Sequence, residues 1–174
     1  MITLILQSLY FMLPAYFANM APVLVQKYWK PLAIPMDNNV QFMGAPLLGA
    51  HKTWRGFLSA IIAGELIFLL QMFIAIPSLI DYATVPLYLG FLMGFGAISG
   101  DILKSFLKRR LNIAPGKAFP IFDQLDFVIG SLIASSIVVD LPLIAILIIV
   151  IVSPILTIVV NRIAYSFRIR NEAW

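Results

Sequence analysis

The chain has 174 residues, of which 61% are hydrophobic and 11% charged, and its mean hydropathy is +0.98. Soluble domains run at about 45–50% apolar and about 25% charged, so a soluble globular domain is excluded and an all-α integral membrane protein is expected. Cysteine is absent, which removes disulfides, thiolate catalysis and Cys metal sites; twelve Lys and Arg against eight Asp and Glu leave a formal net charge of +4.

A bilayer span needs about 20 mostly apolar residues, and a single domain, residues 1–174, has room for five transmembrane helices. The first segment, Leu4–Val25, carries Pro14, Asn19 and Pro22. It lacks the basic start and small-residue cleavage site of a signal peptide, so no cleavage is expected. The second, Phe57–Ile76, holds Glu65. The third, Val85–Phe106, sets Gly90, Gly94, Gly96 and Gly100 at small-x-x-x-small spacings that suit close helix packing. Ile121–Val139 and Leu141–Val160 are the fourth and fifth. Each is expected to be helical, because a lone strand in lipid leaves its backbone polar groups unsatisfied. Pro77, Pro86, Pro120 and Pro142 fall at or near segment ends, where a missing N–H costs least.

Placement of charge then orients the chain. Lys27, Lys30, Lys52 and Arg55 lie between segments one and two, and Lys104, Lys108, Arg109, Arg110 and Lys117 lie at the end of segment three and in the loop after it. Arg162, Arg168 and Arg170 follow segment five. With five spans these regions share one side, and the loops around Asp81 and Asp140 on the other side carry no basic residue. The positive-inside rule puts the N-terminus outside and the C-terminus in the cytoplasm of a multi-pass cell-membrane protein.

Chemistry-bearing residues concentrate between Gly100 and Asp126. On a helix, Asp101 and Ser105 are four apart, as are Lys104 and Lys108, so they share one broad face. Asp123 and Asp126 sit three apart near a helix start after Pro120. The connecting loop is short enough to make the two helices antiparallel neighbours, with their carboxylates converging at the cytoplasmic membrane boundary. Three carboxylates with no Cys or His close by suit a hard, oxygen-loving ion such as Mg²⁺. Surrounding lysines and arginines suit polyphosphate. Asp101 and Lys104 also read as an ordinary ion pair, and Lys108, Arg109 and Arg110 also read as stop-transfer charges and lipid anchors, a reading that for Arg110 stands level with a functional one. Asp126, entering an apolar run, is costly and therefore expected to be functional.

A second polar cluster precedes segment two, where Lys52, Thr53 and Arg55 offer cation and hydroxyl donors at a helix N-terminus, a natural phosphate position. It resembles half of a P-loop without the full motif. His51 reads as a hydrogen-bonding loop residue. Glu65 is expected to be protonated or paired with a polar group on a neighbouring helix. Asn19 and Asn161 read as interhelical hydrogen-bond glue, with Asn19 also a candidate substrate contact.

The order Gly100-Asp101, Ser105, Lys108-Arg109, Pro115-Gly116 and Asp123-Gln124-Leu125-Asp126 resembles the signature of the CDP-diacylglycerol synthase family of membrane phosphatidate cytidylyltransferases. That family commonly ends Asp-Arg-x-Asp, with His-Gly-Gly after Pro-Gly; this chain has Gln124, and Lys117-Ala118-Phe119-Pro120. These departures, the Lys52-Thr53-Trp54-Arg55-Gly56 loop, Asn161-Arg162-Ile163-Ala164-Tyr165 and Trp174 are similar to the archaeal CDP-archaeol synthase branch. The resemblance implies that CTP and an unsaturated isoprenoid diether glycerol phosphate give CDP-archaeol and pyrophosphate. It also implies that Asp101, Asp123 and Asp126 hold Mg²⁺. Lys104, Lys108 and Arg109 are then assigned to phosphate oxygens, with Lys52, Thr53, Arg55, Lys117 and Gln124 as further substrate contacts. Ser105 donates to phosphate or ligates metal. CTP, the lipid and the bilayer are the expected partners, with no nucleic acid; glycine-lined helices permit a homodimer.

Rival readings are a bacterial-type phosphatidate cytidylyltransferase and a small cation transporter or channel lined by Glu65, Asp101 and Asp126. Against transport stand the cytoplasmic position of the acidic residues and the absence of a visible inverted repeat. A CDP-alcohol phosphotransferase would need an Asp-Gly-x-x-Ala-Arg opening, which the chain lacks, and a non-catalytic scaffold leaves the motif unexplained.

Overall fold

In the computed structural model, residues 1–74, 76, 79–114 and 117–167 are described, with the side chains of residues 27 and 28 left aside. Pro77, Pro115, Gly116, Arg168, Arg170 and Trp174, each used in reading the sequence, lie outside the described residues. The helices are α1 (Ile2–Phe11), α2 (Leu13–Tyr28), α3 (Trp54–Ile74), α4 (Leu89–Arg110), α5 (Phe122–Ser135) and α6 (Leu143–Ser166). Between α2 and α3 a small antiparallel hairpin pairs β1 (Gln41–Phe42) with β2 (Ala45–Pro46).

Expected and observed boundaries differ where local chemistry intervenes. The first segment is broken at Met12, and its two helices bend by 47°. Pro14 in the first turn of α2 has no N–H to continue the ladder of α1. Thr53 begins α3 earlier than expected, its Oγ1 accepting the Gly56 N–H at 3.2 Å as an N-cap. α4 starts and ends four residues later than Val85–Phe106, so Lys108, Arg109 and Arg110 lie on its last turn. Cations there also complement the negative end of the helix dipole. α5 stops at Ser135, and the Ser135 and Ser136 hydroxyls bond back to the Leu132 and Ile133 carbonyls at 3.1 and 2.8 Å.

α3, α4 and α6 are each long and apolar enough to cross a membrane, and the bent α1–α2 pair makes a fourth candidate span. α5 has 14 residues, about 21 Å of helix against about 30 Å of hydrocarbon. The molecule is thus all-helical apart from the hairpin, with three to four candidate membrane spans among the described residues.

Large apolar side chains face outward, such as Phe73, Ile133 and Ile151, while Phe11, Phe68, Met93, Phe127 and Ile149 fill the interior. With apolar groups on both sides, burial alone does little to choose helix partners in lipid, so close packing and polar contacts do it. The Tyr16 hydroxyl and Ser153 Oγ lie 2.6 Å apart, joining α2 to α6. Gln71 donates to the Tyr10 carbonyl at 2.5 Å, and Ser131 to the Met93 carbonyl at 2.8 Å. Glu65 is paired as expected: its carboxylate accepts the Phe91 N–H at 2.7 Å in the first turn of α4.

The closest helix contact is α4 against α5. A Cβ added at Gly100 would stand 2.1 Å from the Asp126 carbonyl oxygen, and one at Gly130 would stand 2.1 Å from the Gly96 carbonyl oxygen. The two backbones touch directly, and no side-chain rotation relieves such a clash. Gly100→Ala is therefore expected to cost at least the ~1–3 kcal/mol of an overpacked core, seen as a lower unfolding temperature in detergent. An unchanged unfolding temperature would mean that α4 and α5 do not meet there.

Candidate functional site

The α4–α5 contact sets two helix faces opposite one another at the end where the basic residues gather. Asp101, Lys104 and Lys108 project from α4 and Asp123 and Asp126 from the first turns of α5. Lys104 stands at their centre. Its Nζ lies 3.1 Å from Asp101 Oδ1, 3.3 Å from Asp123 Oδ1 and 2.6 Å from Asp126 Oδ2. Lys52, entering from the loop before α3, lies 2.5 Å from Asp101 Oδ2. Lys108 reaches both Asp123 oxygens, at 3.2 and 3.3 Å, and donates to the Lys117 carbonyl at 2.5 Å. Three carboxylates thus face three ammonium groups with little solvent contact, the mutual pairing that buried charges require.

The start of α5 is built to hold its carboxylates still. Asp123 Oδ2 accepts the Phe119 N–H at 2.6 Å while its own N–H donates to the Phe119 carbonyl at 3.0 Å. Ile121 takes φ +70° between Pro120 and the helix, a conformation rare for a β-branched residue and the kind of strain that collects at functional sites. Asp126 Oδ1 accepts the Phe127 N–H at 2.7 Å. Its Oδ2 lies in ion-pair contact with the Lys104 ammonium at 2.6 Å, nearly sealed from solvent.

A cavity of about 450 Å³ opens beside this cluster. Asp101, Lys104, Lys108, Lys117 and Asp123 form one wall, and Lys52, Thr53 and Arg55 another. Asn19 on α2 faces them across the space. Nine of the residues expected from the sequence therefore share one cavity. Four do not line it. Ser105 donates to the Asp101 carbonyl at 2.9 Å, and Arg109 to the Ile113 carbonyl at 2.7 Å. Gln124 is buried in α5, and Asp126 touches the cluster from behind, through Lys104. Arg55 lines the cavity while its guanidinium also donates to the Trp29 carbonyl, tying α3 to the end of α2. Two residues read from the sequence as bystanders also line it, His51 and Asn161. Their signal was present in the sequence: His51 adjoins Lys52, and Asn161 is a rare polar residue within an apolar helix.

The three carboxylates make a donor set that is all oxygen and anionic, the chemistry that suits a hard divalent cation. Among the described residues no ready coordination sphere is formed, because the Lys104 ammonium fills the place where the carboxylates meet. Lys104→Met would leave those carboxylates facing one another without a counter-charge. It is expected to destabilise the fold by about 3–5 kcal/mol, read from thermal unfolding in detergent. Adding Asp126→Asn to the same chain should recover part of the loss, and equal stability of Lys104→Met and wild type would contradict the cluster.

Comparison with known proteins bears on this site. All of residues 1–174 match the family model described as CarS-like CDP-archaeol synthase. A CDP-archaeol synthase of Halorubrum lacusprofundi is 38% identical, across 99% of this chain and 98% of its own. One from Methanocaldococcus jannaschii is 38% identical, across 98% of each. A solved structure described as "Structural insight into an intramembrane enzyme for archaeal membrane lipids biosynthesis" superimposes with a TM-score of 0.77. It is 30% identical, over 90% of this chain and 94% of that one.

Proposed function

This chain belongs to the CarS-like CDP-archaeol synthase family and is a CTP-dependent cytidylyltransferase of archaeal lipid biosynthesis, and we propose that it joins CTP to an unsaturated isoprenoid diether glycerol phosphate at the Lys104 cluster. The observation that carries this reading is the cavity itself, which sets four lysines and two carboxylates against apolar helix walls. A triphosphate needs the first surface and a lipid needs the second.

Chemically the reaction asks little of a nucleophilic side chain. An oxygen of the lipid phosphate attacks the α-phosphorus of CTP, forming a new P–O bond. The bond from that phosphorus to the bridging oxygen breaks, and pyrophosphate leaves with the electron pair. The attacking oxygen is already anionic, so no Ser, Cys or His intermediate is required, and catalysis consists of positioning and charge neutralisation. Lys52, Lys104, Lys108 and Lys117 supply cations to the phosphate oxygens. In the free enzyme Lys52, Lys104 and Lys108 are paired with Asp101, Asp123 and Asp126, so substrate phosphates take over partners the carboxylates release. Asp101, Asp123 and Asp126 would hold Mg²⁺. When bound, that ion neutralises the triphosphate and favours pyrophosphate as a leaving group. Asn19 and Thr53, which line the same cavity, contact substrate in this reading; Ser105, Arg109 and Gln124 support the reacting groups from behind.

The lipid reaches the cavity through the seam between α2 and α6. Among the described residues these helices have no Cα pair within 8 Å and are joined by the Tyr16–Ser153 contact. Past it, Pro22 and Val23 face the cavity on one side and Val160 and Ala164 on the other. Five spans, an outside N-terminus, a cytoplasmic C-terminus and a cytoplasm-facing site in the cell membrane complete the reading. With five spans all twelve Lys and Arg fall on one side, as the positive-inside rule asks of the cytoplasmic face.

Metal dependence tests the assignment of the carboxylates. Chelation with EDTA is expected to stop pyrophosphate release from CTP and lipid, and Mg²⁺ to restore it. Asp126→Asn should reduce turnover by roughly two orders of magnitude or more, with the protein still extracted and folded. Full activity in a chelated preparation, or near-wild-type turnover of Asp126→Asn, would contradict the metal site.

A further inference from the structure

Arg110 ends α4 and, by composition, reads as a membrane anchor. Its guanidinium is engaged elsewhere. Nη1 donates to the Phe42 carbonyl, and Nη2 donates to the Pro46 carbonyl at 2.8 Å and the Ala45 carbonyl at 3.3 Å. The same group lies over the Phe42 ring at 5.2 Å and the Phe106 ring at 5.3 Å. One side chain on α4 therefore collects three carbonyls of the β1–β2 hairpin and is sandwiched between an aromatic of that hairpin and an aromatic of its own helix.

That hairpin cannot hold itself in place. Each strand has two residues, and an isolated two-stranded hairpin is at best marginally stable in water. Its turn, Met43 at φ +53° and Gly44 at φ +77°, has the positive angles of a type I′ turn, which fixes the bend but not the hairpin's position on the protein. Backbone bonds from the Trp54 and Arg55 N–H groups to the Ile34 and Leu32 carbonyls, at 3.1 and 3.0 Å, tie the start of the loop to α3, and two side chains fasten the rest. Asp37 accepts the N–H groups of Leu48, Gly49 and Asn39 at 2.9, 3.1 and 3.0 Å, folding the loop on itself. Burial works against that charge, but the three donors outweigh it and hold the Asp37 carboxyl below its usual range. Arg110 then fastens the tip to α4. A few residues further on, the same loop delivers Lys52 to Asp101, and the Met36 N–H to Lys52 carbonyl bond of 2.8 Å joins the two ends of the segment. The loop is thus pinned to α4 twice, at Arg110 and at Asp101.

We propose that Arg110 is a positioning residue that clamps the hairpin along α4 and thereby sets Lys52 at Asp101. This rests on the reading of Lys52 as a cation for the substrate phosphates. The chemistry of the clamp is specific to arginine. A planar fork reaches several carbonyls and stacks between two rings, whereas a lysine keeps the charge but offers a single point.

The absence of cysteine gives a clean test. Cysteines replacing exposed Met43 at the hairpin tip and Leu103 on the outer face of α4 carry nitroxide labels, and dipolar EPR reads their distance distribution. We expect a narrow distribution with Arg110 present and a broad one with Arg110→Lys or Arg110→Ala. In parallel, Arg110→Lys should raise the KM for CTP by roughly tenfold or more at an unchanged unfolding temperature. The same change made on a Lys52→Ala background should add nothing further. An equally narrow distribution in Arg110→Lys overturns the clamp. A broadened distribution with unchanged KM, or with additive effects on the Lys52→Ala background, overturns the link to Lys52. If Lys52→Ala by itself leaves turnover unchanged, the underlying reading of the site fails, whatever the labels report.

Discussion

Everything at the candidate site hangs on the direct contact between the α4 and α5 backbones. Gly96 and Gly100 on one helix meet Gly130 and the Asp126 carbonyl on the other, with no room for a side chain between them. In lipid, where apolar burial does not select helix partners, such fit is a principal source of specificity. The contact has a chemical consequence as well. It brings the carboxylates of α5 within reach of the lysines of α4, so that Lys104 meets three acids at once. Neither helix could bury its own charges alone, since each would face a desolvation cost of several kcal/mol per ion. Packing and charge are therefore one device: the glycines make the ion cluster, and the ion cluster fixes the rotation of the helices.

Much of this was legible because the chain is so apolar. In a sequence with 11% charged residues, a stretch that gathers aspartates, lysines and arginines stands apart, and helical spacing alone places Asp101, Lys104 and Lys108 on one face. The glycine spacing in the third segment signalled close packing, which the structure bears out at Gly94, Gly96 and Gly100, and the family resemblance is matched over the whole chain. Other features were hidden for physical reasons. The break at Met12 comes from a proline early in a helix, a position where proline is normally tolerated. α4 runs on to Arg110 because its charged last turn continues the helix beyond the apolar stretch that marks a span. Nothing local to Arg110 indicates that its partners lie 64 to 68 residues earlier in the chain. Ser105 illustrates the opposite case: its spacing from Asp101 suggested a shared ligand, yet that same spacing lets its hydroxyl bond to the Asp101 carbonyl, as serine commonly does within a helix.

On the proposed reading, two substrates of opposite solubility must meet at this site. A triphosphate brings several negative charges and cannot enter hydrocarbon, while a lipid phosphate brings chains that cannot leave it. The cavity has a wall suited to each, with ammonium groups and carboxylates from α4, α5 and the loop before α3, and the apolar side chains of α2 and α6. Internal salt bridges occupy the lysines until phosphates compete for them, which avoids unpaired buried charge in the free enzyme. The hairpin loop brings Lys52 to Asp101 from outside the helical bundle, so part of the site is carried by a loop segment rather than by a membrane helix.

The most direct test of the central claim uses purified protein in detergent, radiolabelled CTP, Mg²⁺ and two lipids matched in all but their chains. One is an unsaturated diether glycerol phosphate, and the other a diacyl phosphatidate. Labelled CDP-lipid and pyrophosphate from the diether are the predicted result. Product from the diacyl lipid alone would contradict the assignment of the lipid substrate. No product from either, with the protein folded, would contradict the joining of CTP to lipid phosphate at the lysine–carboxylate cluster.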